Sequence, residues 1–223
     1  MTKNLILAEF HSHSNYSFDS LSTIEDMIAT CRAKGIGKLA ITDHGRMAGS
    51  LKAQQIAPDL VVVSEEILTK EGELLAYFIT KEIPDGLPAL EVVRMLQDQG
   101  AFISVAHPFD TWRGSSWQPG TLEKLVPYLD AVEAFNARCF DPKFNEQAAK
   151  FATQHGLAWM AGSDAHSLEE LGRAVLKLPD FNSAEELRQS IKTAEFEGEL
   201  SGKMVRLRST FAKVVNKMRH HSR

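Results

Sequence analysis

The sequence predicts a single α/β domain in which mostly parallel strands form either a barrel or an open doubly wound sheet. Three observations predict it. Short apolar runs alternate with amphipathic helical segments, glycine and proline separate them, and 223 residues are enough for one large core. Hydrophobic residues make up 43% of the chain and charged residues 24%, proportions that are typical of a globular protein.

Eight apolar runs have the length and composition of buried strands. Most are apolar throughout rather than alternating with polar residues, which is typical of parallel strands covered on both faces. Helical patterns between them indicate crossover connections. The predicted strands are residues 4–9, 38–42, 60–63, 74–80, 101–106, 131–135, 158–161 and 174–178.

Capping signals between these strands predict helices. In a capping box, a Ser or Thr and a Glu three residues later satisfy free backbone N–H groups at the start of a helix. Glycine ends helices because it adopts the left-handed conformation at little cost. These signals predict helices that begin at Ser22, Pro88, Asp141, Ser167 and Ser183, the first three of which end at Gly35, Gly100 and Gly156.

The sequence favours a cytoplasmic protein. The first apolar run is too short for a secretory signal, and no segment approaches the roughly 20 apolar residues that a membrane span needs. Cys31 and Cys139 match no zinc-ligand spacing, so we expect reduced thiols rather than a disulfide.

Charge is divided unevenly along the chain. Residues 201–223 contain seven Lys and Arg and no acidic residue, whereas the first 200 residues contain 18 basic and 29 acidic residues, a net charge of −11. We expect residues 201–223 to form a basic amphipathic helix packed on a domain of residues 1–200. A nucleic acid or membrane surface is the alternative partner for it. Its predicted apolar face consists of Met204, Leu207, Phe211, Val214, Val215 and Met218.

Potential metal ligands recur where the predicted strands end. Because the carboxyl ends of parallel strands meet at one rim of a barrel, side chains that follow them should converge. His11 and His13 also project to the same side of an extended chain. Imidazole and carboxylate groups together suit zinc, manganese or iron. The candidates are His11, His13, His44, Glu66, His107, Asp164 and His166, which include five of the eight histidines.

More than one cation is expected, because a carboxylate can bridge two ions. A single histidine or carboxylate at a strand end is usually a hydrogen-bonded or ion-paired residue, but burying so many without a cation would be costly. The predicted sets are His11, His13, Glu66 and Asp164 for one ion, Glu66 and His107 for a second, and Asp19, His44 and His166 for a third.

Four short motifs occur in order along the chain: HSHS at 11–14, ITDHG at 41–45, VAHP at 105–108 and GSDAH at 162–166. From residue 5 to about residue 178 the chain therefore resembles the PHP family, the polymerase and histidinol phosphatase superfamily. The resemblance implies a distorted (β/α)7 barrel with two or three metals at the C-terminal rim of its strands. It also implies the ligands His11, His13, Asp19, His44, Glu66, His107, Asp164 and His166.

Two further segments, 133–138 and 171–174, resemble a branch of phosphoesterases that includes nucleotide phosphatases. Many relatives place a histidine just before the fourth strand, where this chain has Glu73. That difference implies a more weakly held second metal. The resemblance thus predicts a metal-dependent phosphoesterase acting on a small monoester, with a metal-bridging hydroxide as nucleophile.

The remaining roles concern the substrate. Arginines near the strand ends are candidates for neutralising a phosphate group, although each is also explained as a solvated surface charge. The leaving group could be protonated by His44 or by a water on a metal. We expect Arg138, Arg113, Arg173 and Asn136 to bind substrate and His44, Arg138 and Asp164 to take part in catalysis.

Two other functions are compatible with the same residues. The first is a nuclease or phosphodiesterase, for which the basic C-terminal segment would contact nucleic acid; the acidic body of the protein does not favour it. The second is a non-catalytic scaffold that keeps the fold. A small phosphorylated substrate remains the expected partner.

Overall fold

The structure, a computed structural model, describes residues 4–115, 117–118, 120–202, 209–213 and 215–217. Its strands are β1 (Leu5–Glu9), β2 (Ile36–Ile41), β3 (Val61–Leu68), β4 (Glu73–Tyr77), β5 (Phe102–Val105), β6 (Ala131–Asn136), β7 (Ala158–Gly162), β8 (Ala174–Pro179) and β9 (Glu195–Gly198). Its α-helices are α1 (Ile24–Ala33), α2 (Ala48–Ile56), α3 (Ala89–Asp98), α4 (Pro142–His155) and α5 (Ala184–Ser190). Residues 209–213 and 215–217 are also helical.

The strands form one mixed sheet in the order β7-β6-β5-β4-β3-β2-β1-β8-β9. β1, β2 and β3 are parallel to one another, as are β5, β6 and β7. β4 is antiparallel to both its neighbours, and β8 is antiparallel to β1. We predicted that every strand is followed by a crossover to a parallel strand. This is wrong for β3, which a short turn connects to the antiparallel β4. A parallel crossover needs about a dozen residues or more.

Hydrogen bonds between β1 or the residues that follow it and the residues that follow β7 nearly close the sheet into a barrel. Beyond the strand ends, Ala165 N donates to His11 O at 3.2 Å and His13 N donates to Ala165 O at 2.8 Å. Further down, the buried Glu9 carboxylate accepts a bond from Ser163 N at 3.0 Å. Because a side chain replaces part of the backbone ladder here, the barrel is distorted. The predicted fold class is confirmed, with β8 and β9 added beside β1.

Side-chain capping explains where three of the five helices α1 to α5 begin. Thr23, rather than the predicted Ser22, is the N-cap of α1, and its hydroxyl accepts a bond from Asp26 N at 3.2 Å. Asp141 caps α4 as predicted, and Gly156 ends that helix in the left-handed conformation with φ 67°. These local signals set the limits of α1 and α4 to within one residue.

One predicted helix is absent from the structure, and one observed helix was not predicted. The capping-box spacing at Ser167 does not begin a helix; Ser167 Oγ and His166 N both bond to Glu170 Oε2, at 2.9 and 3.2 Å, and stabilise a turn. Conversely, α2 was not predicted. Its N-cap residue is Met47, whose side chain makes no capping hydrogen bond, so the sequence contains no capping signal there.

An aromatic layer lies inside the barrel, below the rim at which most parallel strands end. It consists of Phe10, Tyr77, Phe102 and Phe181. All four rings are almost completely buried. The Phe10 ring is nearly perpendicular to the Tyr77 ring, with 5.6 Å between their centroids. It stacks on the Phe181 ring, with 5.9 Å between centroids. Phe102 begins β5 and Tyr77 ends the reversed β4, so both lie at the strand ends remote from the rim.

The described part of the C-terminal segment packs on the barrel with only part of its predicted face, of which Val215 is half-buried. Phe211, predicted to be on the packed face, is 65% exposed, whereas Ser209 and Ala212 are buried. Met204, Leu207, Val214 and Met218 lie outside the described residues.

Among the helices that the structure describes, none has both the length and the apolar character required to cross a membrane. Cys31 and Cys139 are free and buried, in keeping with the expected thiols.

Candidate metal centre

The predicted ligands meet at the rim where the parallel strands end. The residues after β1, β2, β5 and β7 and the inward-facing Glu66 of β3 supply them. All are buried except His44, whose side chain is 21% exposed. The structure brings together His11, His13, Asp19, His44, Glu66, His107, Asp164 and His166.

The first set of ligand atoms converges without forming hydrogen bonds. Glu66 Oε2 lies 3.3 Å from His11 Nε2 and 3.4 Å from His13 Nε2, and His13 Nε2 is 3.3 Å from Asp164 Oδ1. The two imidazole nitrogens and Glu66 Oε2 are buried and have no hydrogen-bond partner among the described residues. Buried polar atoms are normally satisfied, so this arrangement fits a cation held between them.

Glu66 also connects a second set, because its Oε1 lies 3.1 Å from His107 Nε2. In that set, one ligand atom from each of His11, Glu66 and His107 lies within 4.8 Å of the others. A carboxylate shared in this way can bridge two ions.

A third set combines the imidazoles of His13, His44 and His166, again within 4.8 Å. Asp19 Oδ2 completes it, at 3.2 Å from His166 Nε2 and 3.6 Å from His44 Nε2. Each of the three sets of candidate ligands that the sequence predicted therefore comes together in the structure.

The electrostatics differ among the candidate ligands. Burial opposes protonation of His11 and His44, but neighbouring carboxylates raise the pKa of both rings well above the ordinary value. His13 and Asp164 have the opposite tendency. Burial and repulsion by His166 and His44 lower the pKa of His13 to about 3, so its ring is neutral and has a free lone pair. Burial opposes ionisation of Asp164, but the neighbouring Arg113 guanidinium holds the pKa of that carboxyl well below its usual range. Both protonation states are those that a metal requires.

Glu133 orients two of the ligands, a role that the sequence did not reveal. Its Oε1 is 2.8 Å from His11 Nδ1, and its Oε2 accepts a bond from His107 N at 2.8 Å. A carboxylate on the far nitrogen directs the other nitrogen of an imidazole toward a metal. Gly162 leaves space for this contact, since a Cβ there would lie 2.6 Å from Glu133 Oε1. The available signal was an acidic residue near the end of a strand.

Asp43 of the second motif holds the loop that follows the first motif. Its carboxylate accepts bonds from Ser14 N at 2.7 Å, Ser14 Oγ at 2.6 Å and Ser17 Oγ at 2.9 Å. These bonds fix the loop between His13 and Asp19, so Asp43 acts on the site by positioning the chain.

Two ligands have unusual backbone conformations. His107 has φ 27° and Asp164 has φ 52°, in a region that residues other than glycine seldom adopt. Such conformations cost on the order of 1–3 kcal/mol and persist where the surrounding structure imposes them, often at functional sites. Here they direct both side chains into the rim.

The loop after β5 covers one side of the site and supplies Arg113. This half-buried guanidinium donates to Asp164 Oδ2 at 2.7 Å, to Asn136 Oδ1 at 3.3 Å and to Asp110 Oδ2 at 3.1 Å. Asn136 Nδ2 also lies 3.3 Å from Asp164 Oδ2. Both predicted substrate-binding residues therefore lie beside a metal ligand and orient it.

The other two arginines occupy different positions. The Arg138 guanidinium contacts His166 Nδ1 and donates to Ser209 Oγ at 3.0 Å, so it lies at the rim. Arg173 lies on the outer surface, 39% exposed, where it pairs with Glu199. The structure thus brings Arg138 to the site and does not bring Arg173 there.

The reversed direction of β4 places Glu73, its first residue, at the rim. Glu73 Oε2 is 3.6 Å from His107 Nε2 and accepts a bond from Ser115 Oγ at 2.5 Å. A Glu73 oxygen also lies within 4.8 Å of ligand atoms of His44 and Glu66. The carboxylate at this position is therefore placed to contact a cation.

Comparison with known proteins agrees with this geometry. A model of the PHP domain matches residues 9–79, and a PHP-associated model matches residues 142–196. An uncharacterized protein of Methanocaldococcus jannaschii is 33% identical over 177 residues, which make up 78% of this chain and 71% of that protein.

Solved structures show the same fold. A two-domain protein from Bacteroides vulgatus, containing a predicted PHP-like metal-dependent phosphoesterase, matches with a TM-score of 0.70 at 18% identity, over 95% of this chain and 70% of that chain. PsfC from Pseudomonas syringae matches with a TM-score of 0.67 at 14% identity, over 96% and 99% of the two chains. With four motifs in order, a matching barrel and a 33% identical relative, the chain belongs to the PHP superfamily.

Proposed function

We propose that this protein is a metal-dependent phosphoesterase that hydrolyses a small phosphate monoester, such as a nucleotide or a phosphorylated metabolite. The main support is the buried convergence of His11, His13, Glu66 and Asp164, whose facing atoms are 3.3–3.7 Å apart without hydrogen-bonding one another. Such nitrogen and oxygen ligands suit manganese, iron or zinc, and we propose two or three of these ions.

Divalent cations bound there would lower the pKa of a coordinated water and neutralise the phosphoryl group. The residues of the chain have complementary roles. Arg113 favours the ionised form of Asp164, Asn136 helps to orient it, and Arg138 contacts His166 from the other side. His44 is the most exposed of the predicted ligands, so we propose that it faces the leaving group and can donate its proton.

The first test combines metal analysis with a generic substrate. Purified protein should contain transition metal and hydrolyse p-nitrophenyl phosphate when Mn²⁺ is added. His13→Ala should lose both properties, because it removes a ligand shared by two sets. The matched control is His155→Ala, an exposed histidine at the end of α4. A metal-free protein that shows no turnover after reconstitution contradicts the proposal.

A second assay separates the proposed monoesterase from its rivals. The metal-loaded protein would be compared on p-nitrophenyl phosphate, on bis(p-nitrophenyl) phosphate and on a panel of phosphorylated metabolites with nucleotides and short oligonucleotides. Faster cleavage of the diester and the oligonucleotides would indicate a phosphodiesterase or nuclease. Bound metal without turnover on any of these compounds would indicate a scaffold.

A further inference from the structure

The C-terminal helical residues 209–213 and 215–217 are attached to the rim at two points. The Asn216 side-chain amide donates to the carbonyl oxygens of Phe18 at 3.0 Å and Ser20 at 3.2 Å. At the other end, Ser209 Oγ accepts a bond from the Arg138 guanidinium at 3.0 Å. The helix therefore spans from the loop after β1 to the segment after β6, along the edge of the site.

Lys213 lies between these two attachments. Its Nζ is 3.7 Å from Asp19 Oδ2 and 5.2 Å from the centroid of the Phe18 ring. Asp19 Oδ2 is in turn 3.2 Å from His166 Nε2. The side chain of Lys213 is 52% exposed, so its ammonium group borders the candidate metal centre and still faces solvent.

The surroundings of Lys213 would suit an incoming anion once Asp19 holds a cation, because the ion-pair partner of Lys213 is that carboxylate. Arg113 is ion-paired with Asp164, and Arg138 contacts His166 and Ser209. A cation bound by Asp19 would offset the negative charge that attracts Lys213. The ammonium group, which has three donors on a flexible stem, would then be available to a phosphate oxygen.

We propose that Lys213 is a substrate-binding residue that contacts a non-bridging oxygen of the phosphate group. This contact would favour dianionic monoesters over diesters, which carry one negative charge. The inference rests on the proposed function, since it assigns Lys213 to the same site. It gives the basic C-terminal segment a role in binding a small anion rather than nucleic acid.

The test uses the full-length, metal-loaded protein. Lys213→Met keeps most of the side-chain length but removes the charge. Its inhibition constant for inorganic phosphate and its KM for p-nitrophenyl phosphate should both rise about tenfold, the loss expected for one charge-assisted hydrogen bond. Metal content and kcat should stay unchanged. Lys213→Arg should retain most of the binding, and Lys150→Met, on the exposed side of α4, is the control for net charge.

A second variant tests whether the helix presents the lysine. Asn216→Ala removes the amide that attaches the helix to Phe18 and Ser20, and should weaken phosphate binding in the same direction. Unchanged phosphate inhibition in Lys213→Met overturns the inference. A loss of metal that matches the loss of phosphate binding also overturns it, because Lys213 would then act only through Asp19.

Calorimetric titration with inorganic phosphate separates this inference from the proposed function. Phosphate binding that depends on Lys213, in a protein that hydrolyses no ester, would contradict the proposed function and leave the anion site standing. Ester hydrolysis with a KM that is unaffected by Lys213→Met would contradict only the inference.

Discussion

The rim of the barrel and the aromatic layer below it are both buried, yet their chemistry differs. At the rim, His13 and Glu66 are at most 1% exposed and present buried atoms without hydrogen-bond partners among the described residues. In the aromatic layer, Phe10, Tyr77 and Phe102 pack ring against ring, and the Tyr77 hydroxyl donates to Phe10 O at 3.0 Å. The Tyr77 hydroxyl of the layer is hydrogen-bonded, whereas at the rim His11 Nε2, His13 Nε2 and Glu66 Oε2 have no hydrogen-bond partner among the described residues.

This difference shows where the free energy of folding comes from. Burial of apolar surface stabilises a fold by about 25 cal/mol per Å². An unsatisfied buried polar group costs about 1–3 kcal/mol. Burial of the aromatic layer therefore stabilises the barrel. Part of this free energy offsets the cost of holding the candidate ligands in place before a cation binds.

The largest expected effect is on the aromatic layer. Phe102→Ala should lower the free energy of unfolding by about 3–5 kcal/mol, because it leaves a cavity beneath the rim. Urea denaturation of the metal-free protein measures it. In a separate metal-loaded sample kept below the unfolding midpoint, the metal content per folded molecule should be unchanged. Loss of metal from a protein that is still folded would show that the two regions are not separable.

Glu133→Gln should have an intermediate effect that is confined to the rim. The amide keeps the size of the side chain but weakens its hold on His11, so metal affinity should fall about 10–100-fold. Competition with a chromogenic chelator measures the affinity, with Glu91→Gln on the exposed side of α3 as the control. An unchanged affinity would mean that Glu133 does not orient the ligand.

The smallest effect is expected for Ser115→Ala. It removes the hydroxyl that donates to Glu73 Oε2 at 2.5 Å and leaves every ligand in place. The loss of about 1 kcal/mol corresponds to roughly a fivefold weaker metal affinity. The same chelator titration would detect it. If Glu73 does not contact a cation, Ser115→Ala and wild type will titrate identically.

The sequence predicted that eight candidate ligands would lie close together, because most of them follow strands that are recognisable by composition, and the structure brings these side chains together at the rim. Their binding of metal stays a prediction. The sequence could not predict the direction of β4 or β8, since a short apolar run has the same pattern in either direction. The place of Glu73 depends on that direction. The fully exposed strand β9 was missed for a related reason, because its sequence, Glu195–Gly198, has no apolar run.

The sequence by itself determined that this is an α/β protein with imidazoles and carboxylates at the ends of its strands. Only the tertiary structure decided which atoms meet. Glu133 and His11 are 122 residues apart, and Lys213 reaches Asp19 from the far end of the chain. Local propensity and periodicity act over a few residues, whereas contacts of this kind depend on how the barrel closes and where the last helix packs.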